Sequence, residues 1–480
     1  MARRPGRDLP VRLHSSTGRW ILAGSVLGSG AVFLEGSVVN VALPAIARGF
    51  NLGVDGLQWV LNGYLLTLSA LMLFGGSLGD RFPRSRVFAI GCVAFAFFTV
   101  GCALAPSLLT LVALRLLQGM AGALLVPNSL AMLETSFDGE ERGAAIGQWA
   151  GWSAISTALG PLAGGWLVDA GSWRWVFAAV APFALGAAWL SLRHAPLGER
   201  RAVRKTGPLD YVGAILATLG LAGVVGALIV GPSLGFGSPP VLGAGIAGAL
   251  LLLGLVAHER RLVHGDTEPL LPLGVFRSRQ FTGANLMTLL VYGALNGLMF
   301  LLMPQLQDNL GYDALTAGAA LLPVNVIMLT LSPLAGRMAT RIGARWPMVV
   351  GALTAAAAMA LFARVQPGAS YLGAVLPAAI VFGLGLACMV APLTAAVLAA
   401  VDQQEAGVAS AINNAAARLA GLFAGAGLPL AAGMGGMTRL EGPAFAAGYA
   451  RAMWICAGLC VGGALVALFT IGGRSARRPS

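Results

Sequence analysis

Charge is scarce in this chain of 480 residues: 10% of them are charged and 57% are hydrophobic. A soluble globular protein carries roughly 25% charged residues, so water is not the main solvent of this surface. Lysine is almost missing, with Lys205 the single example, and arginine therefore carries the net charge of +12. Histidine is confined to His14, His194, His258 and His264, all in segments read as lying outside the apolar runs, and they form no ligand cluster. Cys92, Cys102, Cys388, Cys456 and Cys460 all fall inside apolar runs. Cys456 and Cys460 share one helix face, but a buried thiol usually serves as a small hydrophobe. Neither a disulfide framework nor a metal site is indicated. The chain has no Gly-x4-Gly-Lys-Ser/Thr or His-Glu-x-x-His sequence, and its Gly-x-Ser-x-Gly spacings at Gly75–Gly79 and Gly231–Gly235 stand without any histidine in the apolar runs to serve as a base. An ATP-driven pump and a polytopic membrane enzyme are both disfavoured on that ground, and no cofactor is expected.

What is present is apolar length. About 20 apolar residues cross a bilayer as helix. By that measure fourteen spans are expected, near 20–44, 57–78, 87–106, 109–133, 143–169, 174–193, 210–231, 239–257, 282–305, 315–335, 346–364, 370–398, 406–432 and 448–472. Many of the 67 glycines lie inside these runs. In water that would weaken a helix, whereas in a bilayer small residues let helices approach closely. The fold class is therefore an all-α polytopic membrane protein. Basic residues before Trp20 could open a secretory signal ending at Ala45-Ile46-Ala47, but the apolar stretch from Trp20 to Ala47 is too long and contains Glu35 and Asn40. It reads as a retained first span.

The placement of arginine argues against a nucleic-acid partner. Arg3, Arg4, Arg7, Arg12 and Arg19 precede the first span, and Arg81, Arg84 and Arg86 follow the second. Arg193, Arg200, Arg201, Arg204 and Lys205 follow the sixth, Arg260, Arg261, Arg277 and Arg279 the eighth, and Arg337, Arg341 and Arg345 the tenth. Arg474, Arg477 and Arg478 close the sequence, and the loops between are short and nearly uncharged. This is the positive-inside pattern, which places the chain in the inner (cytoplasmic) membrane with both termini cytoplasmic.

The chain also repeats itself. A basic, Gly-punctuated segment, Gly76-Ser77-Leu78-Gly79-Asp80-Arg81-Phe82-Pro83-Arg84-Ser85-Arg86, is expected to be a tight turn between spans two and three. It returns more weakly at Gly336-Arg337-Met338-Ala339-Thr340-Arg341-Ile342-Gly343-Ala344-Arg345, offset by 260 residues. Pro44 and Pro304 keep the same offset. Two matches in register point to a duplicated half: a six-helix bundle over 1–195, linkers and two extra central helices over 196–280, and a second six-helix bundle over 281–480. The arginines near helix ends suit carbonyl termini.

Two intramembrane charges stand out. Glu35 is the one acidic residue read as lying well inside a span, in Leu34-Glu35-Gly36-Ser37-Val38-Val39-Asn40-Val41-Ala42-Leu43-Pro44. Arg115, in Arg115-Leu116-Leu117-Gln118-Gly119-Met120-Ala121-Gly122-Ala123, costs about 2.5–3.5 kcal/mol on insertion scales, so it needs a partner or water. Desolvation favours a neutral carboxyl and a nearby guanidinium an ionised one, so a Glu held between them can take and release a proton. A Glu kept permanently neutral in a structural hydrogen bond is the plainer alternative, as is an Arg115 that snorkels to the interface. Pro161, within Gly160-Pro161-Leu162-Ala163-Gly164-Gly165, removes a helix hydrogen bond, and its glycines permit close backbone contact.

These segments together resemble the fourteen-span drug:proton antiporters of the major facilitator superfamily, along nearly the whole length. The resemblance implies that fold, with two bundles rocking around a central site. It implies a conformational gate at Gly76, Asp80, Arg81 and Arg84, repeated at Gly336 and Arg341, although Pro83 stands where the family usually has Gly. It implies proton coupling at Glu35 and Arg115, where the family usually has Asp and Thr in the places of Glu35 and Ser37. Gly160, Pro161, Gly164 and Gly165, with the following Trp173-Arg174-Trp175-Val176-Phe177, match the antiporter stretch. Cavity candidates are Asn40, Gln58, Trp59, Asn62, Tyr64 and Gln118 from the first half. Tyr292, Asn296, Met299, Gln305 and Asn325 come from the second. Leu321 to Thr330 contains no acid, so neutral or singly charged amphiphiles fit better than dications. The expected partners are a small-molecule substrate, protons and membrane lipid, for a monomer powered by a proton gradient. An endogenous metabolite or amino-acid-like solute as cargo, or uncoupled facilitation, are the alternatives.

Overall fold

The computed structural model describes residues 11–194, 208–262, 269–401 and 406–472. The basic residues at 3, 4, 7, 200, 201, 204, 205, 474, 477 and 478, and His264, lie outside them. The first bundle contains α1 (Ser16–Phe50), α2 (Val54–Arg81), α3 (Arg84–Leu104), α4 (Leu108–Ser136) and α5 (Gly139–Ala170). A broken span, α6 (Trp173–Ala178) with α7 (Ala181–Arg193), completes it. Next come α8 (Tyr211–Leu234) and α9 (Pro239–Leu262). The last group is α10 (Arg279–Pro304), α11 (Ala314–Ala319), α12 (Leu322–Ile342), α13 (Arg345–Phe362), α14 (Leu376–Leu398), α15 (Ala406–Ala431) and α16 (Pro443–Thr470).

All fourteen segments read from the sequence fall on helix, and no strand occurs among the described residues. Twelve helices there are long and apolar enough to cross a membrane, which makes this a multi-pass membrane protein. The two that fall short, α5 and α15, have a physical reason: both lie at the seam between the bundles, where α5 packs on α1 and α11, and α15 on α2 and α10. A helix facing an internal passage can carry polar residues that lipid would reject.

Short polar residues set the starts. Ser15, Ser107 and Ser278 accept backbone N–H bonds from Gly18, Thr110 and Phe281, and Asp210 caps α8 by accepting from Gly213 at 2.8 Å. Asn51, with φ 54°, ends α1 in the left-handed conformation that Asn tolerates. Asp313, outside the spans, caps α11 through Thr316, and those hydrogen bonds hold its carboxyl below the usual carboxylate range.

The start of α1 and the end of α16 share one face of the molecule, here the terminal face. At the opposite, far face a ladder joins the bundles. Arg48 pairs with Asp308 at 2.7 Å, and these two stand 260 positions apart. Residues related by the sequence duplication thus meet each other, as contact across a pseudo-twofold axis requires. Gln307 donates to the Val41 carbonyl, Val54 N–H to Met437, and Gly436 N–H to Asp55. The Asp169 carboxylate accepts from the N–H groups of Ala314 and Leu315. Helices α8 and α9 form a hairpin through small residues, and α8 lies over the α2–α15 seam, burying Leu221, Val225 and Ile229 against Leu66, Ala70, Leu422 and Ala426.

The segment 76–86 is not mainly a turn. Helix α2 runs through Arg81, only Phe82 and Pro83 break it, and α3 starts at Arg84. Pro83, with φ fixed near the helical value, starts the next helix at once. At the second copy Gly343, with φ 89°, makes the break between α12 and α13.

Candidate functional site

A buried pair of opposite charges lies in the first bundle. Glu35 on α1 and Arg115 on α4 form an ion pair, with side chains 0% and 1% exposed. Arg115 is held from several sides: Nε donates to the Val60 carbonyl of α2 at 3.0 Å, and Nη1 to Gln118 Oε1 at 2.7 Å. Gln118 in turn donates to Thr99 on α3 at 2.7 Å. The guanidinium lies over the Tyr64 ring, 4.4 Å from its centroid, with Phe177 beyond at 5.7 Å. This is not an arginine that snorkels to an interface. Removing two charges from solvent costs several kcal/mol per ion before pairing offsets it, so stability alone is a weak reason for such a pair. The second carboxylate oxygen of Glu35 and the Tyr64 hydroxyl have no hydrogen-bond partner among the described residues.

Beside the pair lies a cavity of about 50 Å³ between the bundles. Its polar wall comes from Asn40, Asn62, Tyr64 and Arg115 on one side and Asn296 and Arg418 on the other. Drug-sized sites measure about 300–1,000 Å³, so the cavity as it stands is too small for a drug-sized ligand. Gly421 and Gly425 of α15 let Asn296 and Asn62 come close, since a β-carbon at either glycine would crowd those amides.

Four of the expected cavity residues line it: Asn40, Asn62, Tyr64 and Asn296. Others do not, because a helix shows only one face to the passage. Gln58 donates to the carbonyls of Gly425 and Ala426, at 2.8 and 3.1 Å, and so closes the seam on the far side of the cavity. Trp59 packs with the α8 cluster. Gln118 is fully buried behind Arg115. Tyr292 and Met299 pack against the main core, Gln305 donates to Val365 within the second bundle, and Asn325 donates to Ala158 across the seam at 3.2 Å. Arg418 is the polar cavity residue that sequence reasoning missed. The available signal was an arginine well inside the apolar run 406–432, the argument already applied to Arg115.

At the terminal face, Arg84 bridges three elements: it pairs with Asp80 at 2.7 Å and donates to the Ala131 carbonyl of α4 at 3.0 Å. Arg81 donates to Pro208, just before α8, at 2.6 Å. Arg345, rather than the exposed Arg341, reaches the carbonyl of Ile471 at the end of α16. The close helix contact is made by Gly79, not Gly76: a β-carbon on Gly79 would collide with Asn128, whereas one on Gly76 would meet only Pro127 at 3.6 Å, and one on Gly336 only Ala391 at 3.7 Å. Gly79→Val is therefore expected to lower the thermal unfolding midpoint in detergent sharply, and Gly76→Ala to leave it within error. Equal midpoints for both variants would contradict the α2–α4 packing described.

The stretch from Gly160 to Gly165 sits where α5 meets both bundles. β-carbons on Gly160 and Gly164 would strike Ser37 and Val38 of α1, and one on Gly165 would strike Ala314 and Leu315 of α11. The Pro161 carbonyl is similarly closed over by Gly318. Arg174 of the following stretch holds the Ala103 and Ala105 carbonyls at the end of α3, each at 2.9 Å.

Residues 25–425 match the model of the Major Facilitator Superfamily. The puromycin resistance protein of Streptomyces alboniger is 38% identical over 438 residues, covering 88% of this chain and 84% of that protein. The tetracenomycin C resistance and export protein of Streptomyces glaucescens is 32% identical, covering 87% and 74%. Among solved structures, an inward-facing, unoccupied bacterial homologue of the human lysosomal transporter Spinster superposes with a TM-score of 0.67 at 15% identity, covering 95% of this chain and 97% of that one.

Proposed function

Because the chain belongs to the Major Facilitator Superfamily, we propose that it exports hydrophobic or amphiphilic small molecules by alternating access, driven by inward proton movement. It is a transport protein and not an enzyme. Two curated relatives named for antibiotic resistance, one of them also for export, support efflux as the direction. The observation that carries proton exchange is the buried Glu35–Arg115 pair beside a cavity between the bundles.

The chain works as a monomer of the fourteen-span type in the inner membrane, both termini cytoplasmic, with a proton gradient and no cofactor. The arginine-rich terminal face supports that orientation, and no nucleic acid takes part. The far-face ladder then seals the outer side, so the cavity in this state is loaded from the cytoplasm. Glu35 releases its proton inward while the cavity is open there. Asp80, Arg81 and Arg84 reclose the inner side when the bundles rock back.

Purified protein in liposomes with a trapped pH dye tests the reading. Adding compounds from a chemically varied panel under an imposed pH gradient is expected to start proton movement for a subset of them. No response to any compound, with insertion verified, would favour a facilitator.

A further inference from the structure

Arg418 differs from the other intramembrane arginine. Arg115 has Glu35, a carbonyl and an amide oxygen as acceptors. Among the described residues nothing accepts a hydrogen bond from Arg418. Its guanidinium lies 5.2 Å from the Phe33 ring centroid, across the seam on α1, and next to Gly36. It lines the same cavity as Arg115 and Asn62. Asn62 is 1% exposed, and among the described residues neither its amide nitrogen nor its oxygen has a partner. The Tyr64 hydroxyl, also on that wall, has none. With Glu35 and Arg115 neutralising each other, the cavity carries one surplus positive charge and several unused donors. A guanidinium at membrane depth needs an acceptor or water, and this one points where a ligand would enter.

We propose that Arg418 makes the central cavity a cation-excluding subsite that reads an oxygen acceptor, and that the exported class is neutral and oxygen-bearing. A cation entering the cavity meets the like charge left over once Glu35 has paired with Arg115. An anion binds well, but it also draws a proton into the same cavity; anion and proton then favour each other, which is the sign for co-transport and not exchange. A neutral compound with a carbonyl or ether oxygen takes the Arg418 donors without adding a negative charge that would hold a proton at Glu35. The step from bound compound to cargo rests on the export reading; the charge selection does not.

The test uses the full chain in zwitterionic phosphatidylcholine nanodiscs at one pH and without a gradient, so that failure here leaves proton exchange untouched. Binding of 1-naphthamide, 1-naphthoate and 1-naphthylmethylammonium is measured by equilibrium dialysis. The wild type is expected to bind the amide and the carboxylate and to reject the ammonium. Arg418→Gln is expected to weaken the first two by about ten- to a hundredfold, the scale of a charge-assisted hydrogen bond, and to admit the ammonium. Arg418→Lys keeps the charge and is expected to keep rejecting it, which separates charge selection from misfolding. Equal affinities, tightest binding by the ammonium, no binding by the amide, or an order unchanged in Arg418→Gln each overturn the proposal.

Discussion

Glu35→Gln is expected to reduce compound-triggered proton movement to that of protein-free vesicles while exchange of labelled for unlabelled cargo continues. The reasoning follows from the geometry. Gln keeps the shape and an oxygen acceptor for Arg115, so the contacts that place α1 beside α4 survive. What it cannot do is ionise, and Glu35 is the carboxyl that reaches the cavity, through its pair with the lining residue Arg115. Cargo-for-cargo exchange requires only that the bundles rock with cargo bound, and the far-face ladder is untouched by the substitution. Loss of both activities would point to a structural Glu, and retention of both would move proton coupling elsewhere in the chain.

Arg115→Met is expected to be the most destabilising single change near the site. Removing one partner of a buried ion pair leaves the other charge uncompensated, at a cost of about 3–5 kcal/mol. Here the loss extends further, since Arg115 also satisfies the Val60 carbonyl and ties Gln118 into the α3–α4 contact. Glu35→Gln combined with Arg115→Met removes both charges and is expected to recover most of that stability without recovering proton movement. Thermal unfolding of the two variants side by side checks this. A double variant no more stable than Arg115→Met would mean that the charge imbalance is not what destabilises it.

Much of the architecture was legible because a membrane leaves little choice. Backbone polar groups must be satisfied internally in lipid, so long apolar runs became helices at the expected places, α5 and α15 included. The Glu35–Arg115 pair was also within reach, because two charges in apolar runs have few ways to be tolerated. The cavity wall was harder to read. Gln58, Asn325 and Gln305 look like ligand-binding residues in one dimension, yet each spends its amide on a backbone carbonyl, two of them across the bundle seam. Only the relative placement of α2, α5, α10 and α15 decides which polar side chain faces the passage, and spacing along one helix does not encode that. The segment after Gly76 misled for a related reason. Glycine there serves close packing through Gly79, and the helix continues to Arg81. Arg418 was overlooked although the insertion-cost argument used for Arg115 applies to it unchanged.

Uphill transport tests the central claim most directly. Everted membrane vesicles containing the full chain would be given an acid interior and a labelled neutral compound that starts proton movement in liposomes. Accumulation inside above the external concentration, collapsing when nigericin removes the pH gradient, is the result predicted for proton-driven export. Entry that stops at equal concentrations with the gradient intact would contradict it and leave a facilitator.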